Sequence, residues 1–541
     1  MKRIVIVGGG FAGVYAAQAL ERRLGRREDV ELLLFSRENY FVFQPMLPEV
    51  ISGTIGLLDV VSPLRRLLRQ THVHVREIES IDVANHTITV APGFKPHANV
   101  MAYDHLVLAP GTVTDFRGLP GLPEHALPFK NLADALELRS RVIRALEEAD
   151  VESHDATLRR QLLTFVVAGG GFSGVEVVAE LNDFVRDVAR SYRRIDPKEI
   201  RVVLVHGQDR ILPEVSPKLG TFAQRILRQR GIELVLQRRL VAATGESASL
   251  SDGTTIATKT LVSTIPSSPH PLIDALALPK TKNGRIVVDS ALRVQGHENL
   301  WALGDCASVP AQDGAACPPT AQHATRQGAL MGENIAAALD GRPLRGFDFK
   351  GLGKMGSLGR RNAVAEIFGL KISGFLAWFL WRTIYLAKLP GWGRRIKVAT
   401  SWTLDLVLSP ELVDLRISAG GGVMHEHFEP GQDVFAEGDL GDRVYILLSG
   451  RAEVVREPRG AAVGAPGGQV VAKVVAILGP GECFGEMALL GNAPRNATVR
   501  CLDPMTVLSI PKRDFGLLAA NVPGLRKSFE EVNARRVLSS H

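Results

Sequence analysis

The chain has 541 residues, of which 45% are hydrophobic and 22% charged, so it is long enough to bury several cores. Its four cysteines include no C-x-x-C pair, which argues against a disulfide framework, a zinc ribbon and a dithiol redox centre, and no metal site is predicted. The positive net charge of +7 is concentrated in one segment, because residues 346–400 carry +8 and the rest of the chain carries −1.

The first predicted elements are a strand, a glycine turn and a helix. The amino terminus, MKRIVIVGGG, has a basic start but neither an apolar h-region nor a small-residue cleavage site, so we expect the chain to start folding in the cytosol. In RIVIVGGGFAGVYAAQAL, Gly8, Gly10 and Gly13 match G-x-G-x-x-G between a β-branched run and a helix-forming run. This pattern predicts a dinucleotide pyrophosphate at a helix N-terminus. A tight strand–helix turn without a ligand is the alternative.

The same pattern recurs in LLTFVVAGGGFSGVEVVAEL, residues 162–181, with Gly169, Gly171 and Gly174. Two fingerprints predict two dinucleotides, one of which passes electrons to the other, as in a flavoprotein whose FAD domain is interrupted by an NAD(P)H domain. Two further strand-like segments support this layout, YDHLVLAPGT before the second fingerprint and GHENLWALGDCA after it. Asp305, at the end of the latter, is expected beside the FAD ribityl or pyrophosphate, unless it is a helix N-cap.

The basic stretch is also rich in aromatic residues. Four of the five tryptophans lie in or beside it: Trp378, Trp381, Trp392 and Trp402. The apolar run 372–392 is interrupted by Arg382 and Lys388, and its uninterrupted part, 372–381, is too short to span a bilayer. Trp and Tyr flanked by Lys and Arg favour a helix lying in the membrane interface, so we predict peripheral attachment to anionic lipid through 372–397. A dimer interface is the main alternative, and nucleic acid is not expected because the aromatics lie in an aliphatic run.

After a glycine-rich joint at 420–422, the chain changes to short strands separated by glycine turns, a spacing typical of an antiparallel jelly-roll barrel. Residues 512–541 are predicted to be helical. About thirty residues of this sequence follow the barrel, too few for a helix-turn-helix, so we do not expect a transcription factor.

Residues 1 to about 415 resemble type II NADH dehydrogenases, the single-chain NADH:quinone oxidoreductases. Both glycine loops carry the resemblance, together with NYFVFQPMLPEV, GRIVVDSALRV, the Gly-Asp turn, PPTAQHATRQG and the stretch 351–407. The resemblance implies that hydride passes from NADH to FAD and that a quinone then takes the electrons. Disulfide reductases and sulfide:quinone reductases share the fold, but they need paired cysteines, and Cys306 and Cys317 do not form such a pair.

The candidate site residues follow from the glycine patterns and from the resemblance. For FAD they are Gly8, Gly10, Phe11, Ala12, Gly13, Ser36, Arg37, Pro45, Ala109, Gly111, Gly304, Asp305, Ala321 and Gln322. For NAD(P)H they are Gly169, Gly171, Gly174, Glu176 and His206. The predicted catalytic residues are Glu176, Gln322 and Arg326. Glu176 would lie near the nicotinamide, although an acid favoured by the helix dipole explains its presence equally well.

Three positions depart from the family pattern. Arg326 replaces the second glutamine of A-Q-x-A-x-Q-x-G, and it could hydrogen-bond a quinone or exclude the usual one. Ser36 stands where an acid normally meets the FAD ribose, with Glu38 two residues late. His206 replaces the acid that would clamp the ribose 2′-hydroxyl of NADH, so NADH is expected but NADPH is not excluded.

The carboxyl-terminal region resembles the cyclic nucleotide-binding domain of the catabolite activator protein and of cyclic-AMP-dependent kinases. FGEMALLGNAPRNATV, residues 484–499, would be its phosphate-binding cassette. The resemblance implies that Glu486 accepts from a ribose 2′-hydroxyl and that Arg495 binds the phosphate. The candidate residues are Gly485, Glu486, Met487, Ala488, Arg495, Asn496 and Ala497. Cyclic AMP is the expected ligand, and a barrel that has lost its ligand is the alternative.

The resulting fold prediction is α/β, with two Rossmann-like domains of the disulfide-reductase-like flavoprotein type, a basic membrane-anchoring helical segment and a β jelly-roll cyclic nucleotide-binding domain. The expected boundaries are 1–112 and 284–345 for the FAD domain, 113–283 for the NAD(P)H domain, 346–416 for the membrane segment and 417–541 for the last domain. The predicted function is NADH:quinone oxidoreduction without proton pumping at the cytoplasmic face of a bacterial membrane, regulated or recruited by a cyclic nucleotide. The alternatives are an NADPH-dependent reductase of a soluble acceptor and a flavin-based sensor with little turnover; a homodimer remains open.

Overall fold

The computed structural model describes residues 1–91, 99–114, 116, 118–265, 268–311, 314–405, 413, 424–439, 443–456, 473–486 and 495–511. The glycine joint at 420–422 and the helix predicted after residue 512 lie outside the described residues.

The amino-terminal stretch begins with the strand, glycine turn and helix that the first fingerprint predicts. Its elements are β1 (Lys2–Val7), α1 (Phe11–Leu24), β2 (Val30–Ser36), β3 (Tyr40–Val42), α2 (Pro48–Ser52), β4 (Val61–Pro63), α3 (Leu64–Leu67), β5 (His72–Val75), β6 (Ile78–Asp82), β7 (Thr87–Val90), β8 (Asn99–Ala102), β9 (His105–Leu108) and β10 (Thr112–Val113). The last four residues of β1 are buried, as expected for a strand covered on both faces.

The second stretch repeats this arrangement around the second fingerprint. Its elements are α4 (Leu122–His125), β11 (Ala126–Pro128), α5 (Leu132–Val151), α6 (Ala156–Leu162), β12 (Thr164–Ala168), α7 (Phe172–Val188), β13 (Arg201–His206), α8 (Pro217–Gln229), β14 (Ile232–Leu236), β15 (Leu240–Ala243), β16 (Ser247–Leu250), β17 (Thr255–Ala257), β18 (Thr260–Ser263), β19 (Ser268–Pro269) and α9 (Pro271–Asp274). All five residues of β12 are buried, and α7 starts directly after the glycine turn.

The third stretch returns to the first sheet and then adds a small sheet and two helices. Its elements are β20 (Ile286–Val287), β21 (Leu300–Ala302), β22 (Ala307–Ser308), α10 (Ala321–Leu339), β23 (Gly353–Ser357), β24 (Ala363–Ile367), β25 (Leu370–Gly374), α11 (Phe375–Lys388) and α12 (Trp392–Leu404). Sequence reasoning missed the antiparallel sheet β23–β24–β25. The helix expected from residue 372 is wrong in its first three residues, which pair with β24, and α11 begins at Phe375.

Two parallel five-stranded sheets form the frame of the nucleotide-binding part. The first has the order β21-β9-β1-β2-β5 and the second the order β11-β18-β12-β13-β14. All strands of the second sheet precede β21 in the chain, although β21 belongs to the first sheet. The first domain is therefore interrupted by the second, as the two fingerprints predict. Helix α10 packs closely on α1, because a Cβ on Gly328 would lie 2.7 Å from the carbonyl oxygen of Ala12.

The described strands after residue 424 are all antiparallel. They are β26 (Met424–Phe428), β27 (Asp433–Phe435), β28 (Arg443–Ser449), β29 (Ala452–Arg456), β30 (Lys473–Leu478), β31 (Cys483–Phe484), β32 (Thr498–Cys501) and β33 (Met505–Pro511). They form two four-stranded sheets, β26-β33-β28-β31 and β27-β32-β29-β30, around a core of their own that includes Tyr445, Phe484 and Met505.

Candidate functional site

The first glycine turn leaves an open cradle at the start of α1. Gly8 has φ 116°, and a Cβ there would lie 2.2 Å from the carbonyl oxygen of Ala109, so only glycine fits. Gly10 is the N-cap of α1 and has open space within 4 Å of its Cβ position. Gly13 instead packs its Cα on the carbonyl of Gly8. The free N–H groups of α1 therefore face open space, where the residues present fit a pyrophosphate.

Ser36, the last residue of β2, packs against this glycine turn. A Cβ on Gly9 would lie 2.5 Å from the Ser36 Oγ, so the serine leaves just enough room for the glycine backbone. Glu38, the nearest acid in the sequence, is exposed and has its carboxylate 3.7 Å from the exposed Arg37. Arg37 does not line the cavity described below, whereas Phe11, Pro45 and Ala321 do.

A partly buried acid, Asp305, and a partly buried lysine, Lys130, interact electrostatically in the same region. Burial raises the pKa of Asp305, and the charge of Lys130 opposes that rise. Burial likewise lowers the pKa of Lys130 to about 8, while its Nζ donates to the Oγ1 of Thr112 at 2.6 Å. The Gly304 N–H donates to the Gln327 side chain at 2.8 Å, which fixes the Gly-Asp turn. Sequence reasoning missed Lys130, since a lone lysine before a helix cap carries no distinctive pattern.

The second glycine turn is held by the histidine that replaces the expected acid. The Gly170 N–H donates to the Nδ1 of His206 at 3.0 Å, and burial lowers the pKa of this imidazole. A ring that accepts at Nδ1 is neutral and carries its proton on Nε2. Position 206 therefore presents an N–H donor and no negative charge.

A cavity of about 1300 Å³ lies in front of this turn. Several basic side chains line it: Arg238, Arg239, Lys350 and Lys354. Glu214 is the one acid in its lining among the described residues. The cavity thus suits a negatively charged dinucleotide.

A second cavity, of about 950 Å³, runs from the cradle of α1 past Asp305 to α11. The two cavities share part of their walls, namely Phe172, Ser173, Thr320, Gln322, Gly353 and Lys354. Groups bound in the two cavities would therefore both border on these residues.

Glu176 lies on the first turns of α7 and lines the 950 Å³ cavity. Its Oε1 accepts from the N–H of Ser357 at 3.1 Å. Burial raises the pKa of Glu176 to about 8 against this hydrogen bond, so the carboxyl holds a proton at neutral pH. Glu176, a predicted catalytic residue, therefore lines the same cavity as the first turns of α10.

Gln322 and Arg326 lie together on the first turns of α10, as their spacing predicts. The amide of Gln322 accepts from the Leu352 N–H at 3.0 Å and donates to the Gly353 carbonyl at 3.2 Å. Arg326 donates from Nη1 to the Gln322 carbonyl at 3.0 Å, and its guanidinium lies 4.0 Å from the ring centre of Phe349. Arg326 is thus held in place at the cavity wall.

Helix α11 supplies two polar groups to this cavity that sequence reasoning missed. Tyr385 and Lys388 both line it, and burial raises the pKa of Tyr385 and lowers that of Lys388. Their spacing of three residues puts them on one helical face, a signal that the membrane interpretation of this segment obscured.

The tryptophans of the basic segment divide into two groups. Trp381 and Trp402 are buried, and the Trp402 Nε1 donates to Glu49 at 2.7 Å, so these two belong to the core. Large apolar side chains are exposed on the same small sheet and helices: Phe368, Leu370, Phe375, Leu376, Phe379, Trp392 and Ile396. Among the described helices, none is both long and apolar enough to cross a bilayer.

The carboxyl-terminal sheets bring the two predicted ligand-binding side chains into their interior. Glu486 is 1% exposed and Arg495 is 4% exposed. Arg495 donates to the carbonyl oxygens of Gly485 at 2.6 Å and Arg443 at 2.7 Å, and it lies over the Phe435 ring. Ala497 is buried and Asn496 exposed, whereas Met487 and Ala488 lie outside the described residues. Over the ranges that the structure describes, no His, Cys, Asp and Glu cluster could hold a metal ion.

Family models match three parts of the chain. The pyridine nucleotide-disulphide oxidoreductase model matches residues 2–328, the NDH2 C-terminal domain matches 352–408 and the cyclic nucleotide-binding domain matches 425–521.

Individual proteins point the same way. The type II NADH:quinone oxidoreductase NdhA of Mycobacterium tuberculosis is 31% identical over 75% of this chain and 87% of its own length. The demethylphylloquinone reductase NdbB of Synechocystis is 31% identical over 74% of this chain and 95% of its own. The structure of NDH2 from Plasmodium falciparum in complex with NADH superposes with a TM-score of 0.70 at 19% identity, over 76% of this chain and 99% of that one, which shows the shared fold. The chain therefore belongs to the type II NADH:quinone oxidoreductases and carries a cyclic nucleotide-binding domain after them.

Proposed function

We propose that this protein uses FAD to oxidise NADH and to reduce a membrane quinone, and that a cyclic nucleotide regulates or recruits it. The observation that carries the proposal is the common wall of the two cavities, which includes Phe172, Ser173 and Gln322. Donor and acceptor must touch for a hydride to pass, and this wall is where two bound groups can meet.

The residues around the first glycine turn fit FAD. The open N-terminus of α1 would hold its pyrophosphate, Ser36 would face its ribose, and Asp305 would hydrogen-bond its sugar or phosphate side. Bound FAD would supply a carrier that accepts a hydride equivalent from NADH and yields two electrons to a quinone. Lys130 would offset the negative charge of Asp305 in this partly buried region.

The quinone would enter between α10 and α11. Gln322 positions the loop at 352–353, and Arg326 can donate to a quinone carbonyl and stabilise negative charge that develops on it. Glu176, protonated at neutral pH, can give up a proton to a group in the same cavity.

The electron donor is NADH, with NADPH as a second substrate that the site does not reject. A carboxylate at position 206 would repel a 2′-phosphate, but His206 is a neutral donor there. Arg238 and Arg239 line the same cavity and can attract the additional phosphate, although Arg238 already pairs with Asp252.

The exposed apolar side chains of β25, α11 and α12 would insert into the membrane interface at the cytoplasmic face. Lys371, Lys388, Arg395 and Lys397 lie on the same elements and can contact anionic headgroups. Because a quinone is dissolved in lipid, a reductase that lies on the surface would shorten its path to the cavity.

The last domain would form a jelly-roll barrel that binds cyclic AMP through Glu486 and Arg495. A link to the catalytic part exists, since a ring nitrogen of His125 lies 3.0 Å from the carbonyl oxygen of His427, between α4 and β26. Regulation requires that the nucleotide bind two states of the protein with different affinity.

The decisive experiment is stopped-flow reduction of the purified flavoprotein by NADH and by NADPH, followed by reoxidation with menadione. We expect bleaching of the flavin by both nucleotides, faster with NADH, and rapid recovery with the quinone. A flavin that NADH does not reduce, or that menadione does not reoxidise, would refute the enzyme function. Steady-state turnover with and without cyclic AMP, at a concentration shown by calorimetry to saturate, tests regulation: equal rates would leave only recruitment.

A further inference from the structure

Helix α4 lies between the carboxyl-terminal sheets and the second nucleotide cavity. Of the described strands after residue 424, β26 packs most closely on the rest of the chain, and it packs on α4. The Nε2 of His125, the last residue of α4, lies 3.0 Å from the backbone carbonyl oxygen of His427 on β26. A carbonyl oxygen only accepts, so this Nε2 carries a hydrogen and donates it. The contact therefore joins a side chain of the catalytic part to the backbone of the last domain.

The other side of α4 is built into the wall of the 1300 Å³ cavity. Leu122 of α4 is fully buried in a hydrophobic cluster of the second sheet. Three members of that cluster also line the cavity: Ala168, Val205 and Leu240. Leu119, just before α4, packs against the same cluster and lines the cavity as well. Because a close-packed interior transmits strain, a displacement of α4 changes the packing directly behind the bound nucleotide.

The backbone holds α4 to the same wall. The Ala243 N–H donates to the carbonyl oxygen of Pro120 at 3.0 Å. Gly121, the N-cap of α4, has φ 69°, and a Cβ there would collide with the carbonyl oxygen of Ala243, so only glycine lets the two segments pass this closely. Ala243 ends β15, whose first two residues, Leu240 and Val241, line the cavity. Helix α4 and β15 therefore move together.

Inside the last domain, the predicted phosphate-binding arginine is connected to β26. The Nη2 of Arg495 donates to the backbone carbonyl of Arg443 on β28 at 2.7 Å. The side chain of Arg443 extends across β33 towards β26: its Nη1 donates to the Ser509 Oγ at 2.8 Å and lies 3.5 Å from the Oε1 of Glu426. Glu426 directly precedes His427, whose carbonyl contacts α4. The contacts thus continue from Arg495 to the interface.

A bound phosphate would change the hydrogen bonds that hold this connection. In the structure, the guanidinium of Arg495 donates to the carbonyl oxygens of Gly485 and Arg443. A phosphate oxygen carries negative charge and is a stronger acceptor than a neutral carbonyl. A cyclic phosphate would therefore draw the guanidinium towards itself and weaken its bond to β28. The liganded and unliganded states would then differ in how β28 and β26 press on α4.

The proposed quinone side is not part of this interface. Among the described elements, those that pack closely on α4 include β15 and β26 but neither α10 nor α11. After α4 the chain enters β11, which pairs with β18 and leads to Phe129 and Lys130 on the side proposed for FAD. The last domain therefore acts on the part of the protein that binds the electron donor.

We propose that α4 couples cyclic-nucleotide binding to NAD(P)H binding and leaves the quinone step unregulated. This coupling rests on the proposed function and assigns regulation to the NAD(P)H half-reaction. Coupling between two binding sites is reciprocal. The factor by which cyclic AMP changes the affinity for the nicotinamide nucleotide therefore equals the factor by which that nucleotide changes the affinity for cyclic AMP.

The test measures both affinities by calorimetry in the FAD-loaded, full-length protein, with NAD⁺ in place of NADH so that the flavin stays oxidised. We expect saturating cyclic AMP to change the Kd of NAD⁺ by at least about fivefold, and saturating NAD⁺ to change the Kd of cyclic AMP by the same factor. In stopped-flow experiments, cyclic AMP should change the NADH concentration that gives half-maximal flavin reduction. Reoxidation by menadione should proceed at the same rate with and without cyclic AMP.

Variants of His125 test the route. His125→Leu keeps an apolar side chain of similar size but removes the donor to the His427 carbonyl. It should bind NAD⁺ and cyclic AMP separately as the wild type does and lose most of the coupling factor. His125→Gln keeps an N–H donor near the position of Nε2 and should retain the coupling. His154→Leu, at an exposed histidine after α5, is the matched control and should couple like the wild type.

The possible failures are distinguishable. A protein that binds both ligands with unchanged affinities, or in which cyclic AMP alters only the reoxidation by menadione, would overturn the coupling and leave the enzyme function intact. Full coupling in His125→Leu would overturn α4 as its route. A protein that binds no cyclic AMP would refute the proposed regulation together with the coupling. A flavin that NADH does not reduce would refute the enzyme function, while calorimetry with NAD⁺ and cyclic AMP would still measure the coupling.

Discussion

The guanidinium of Arg326 lies 4.0 Å from the ring centre of Phe349, at the wall of the cavity that Gln322 and Glu176 also line. Replacing Arg326 by Met keeps the length of the side chain but removes its charge and its donors. We expect the KM for menadione to rise roughly tenfold, since a hydrogen bond to a charged group contributes about 1.5–3 kcal/mol. Steady-state kinetics with varied quinone measures this.

Arg326→Gln introduces the glutamine of the family motif and serves as the comparison. It should recover part of the affinity, because an amide still donates to a carbonyl oxygen. If Arg326→Met had the same KM as the wild type, Arg326 would not contact the quinone.

A second prediction concerns the stability of the protein against pH. The pKa of Glu176 is raised to about 8 in the folded state, and unfolding returns it to the ordinary value near 4.3. Between these values the folded state holds a proton that the unfolded state has lost, so this group makes stability fall as pH rises from about 4.3 to 8, with no further change above.

Glu176→Gln removes this dependence, and the thermal midpoint of the variant should exceed that of the wild type at pH 9 by more than at pH 5. Glu147→Gln, on the exposed side of α5, is a control that should shift both midpoints alike. A variant with the same pH dependence as the wild type would show that the Glu176 carboxyl is charged in the folded protein.

The strands and helices around the two glycine turns could be predicted because local sequence determines them. A β-branched run, a glycine turn and a helix-forming run leave little choice of conformation, and β1, α1, β12 and α7 are found where expected. The small sheet β23–β24–β25 was missed, because the strong apolar signal of the following helix extended the predicted helix backwards into β25.

In the candidate site, too, local sequence reveals only the residues that belong to motifs. Glu176 and Gln322 follow from motifs, whereas Lys130 meets Asp305 only through the tertiary fold, which joins segments far apart in the chain. Ser52 and Glu180 are 128 positions apart and share a hydrogen bond that no spacing rule reveals. Likewise, burial of Trp381 and Trp402 depends on their packing, although all four clustered tryptophans look alike in sequence.

The choice between the two nicotinamide nucleotides depends on position 206. His206→Glu places a carboxylate at the end of β13, where it can accept from a ribose 2′-hydroxyl and repel a 2′-phosphate. We expect the ratio of flavin reduction rates, NADH over NADPH at equal subsaturating concentration, to rise at least about tenfold. His206→Gln, which remains neutral, should change the ratio less. An unchanged ratio in His206→Glu would place the distinguishing contact elsewhere.

Membrane attachment can be tested on exposed side chains that do not line the 950 Å³ cavity. Phe379 and Trp392 are 54% and 77% exposed, and burying each in lipid should contribute about 1.5–3 kcal/mol. The double variant Phe379→Ser, Trp392→Ser should therefore bind anionic vesicles roughly 100-fold more weakly in a flotation assay. Val100→Ser, which removes a side chain that is 69% exposed on β8, should bind like the wild type. Equal binding of the double variant would exclude this surface.

The guanidinium of Arg495 is already oriented by the carbonyl oxygens of Gly485 and Arg443, so a cyclic phosphate would meet a preorganised cation. Arg495→Gln keeps an amide donor but removes the charge, and we expect the affinity for cyclic AMP to fall by roughly 10- to 100-fold, as for a lost charge-assisted hydrogen bond. Arg500→Gln, which breaks an exposed ion pair with Asp433 on the same sheet, is the matched control. Isothermal calorimetry with cyclic AMP and cyclic GMP measures both variants. If Arg495→Gln bound cyclic AMP as tightly as the wild type, or if the wild type did not bind it at all, Arg495 would not be a ligand-binding residue. The buried arginine would then serve only the packing of this domain.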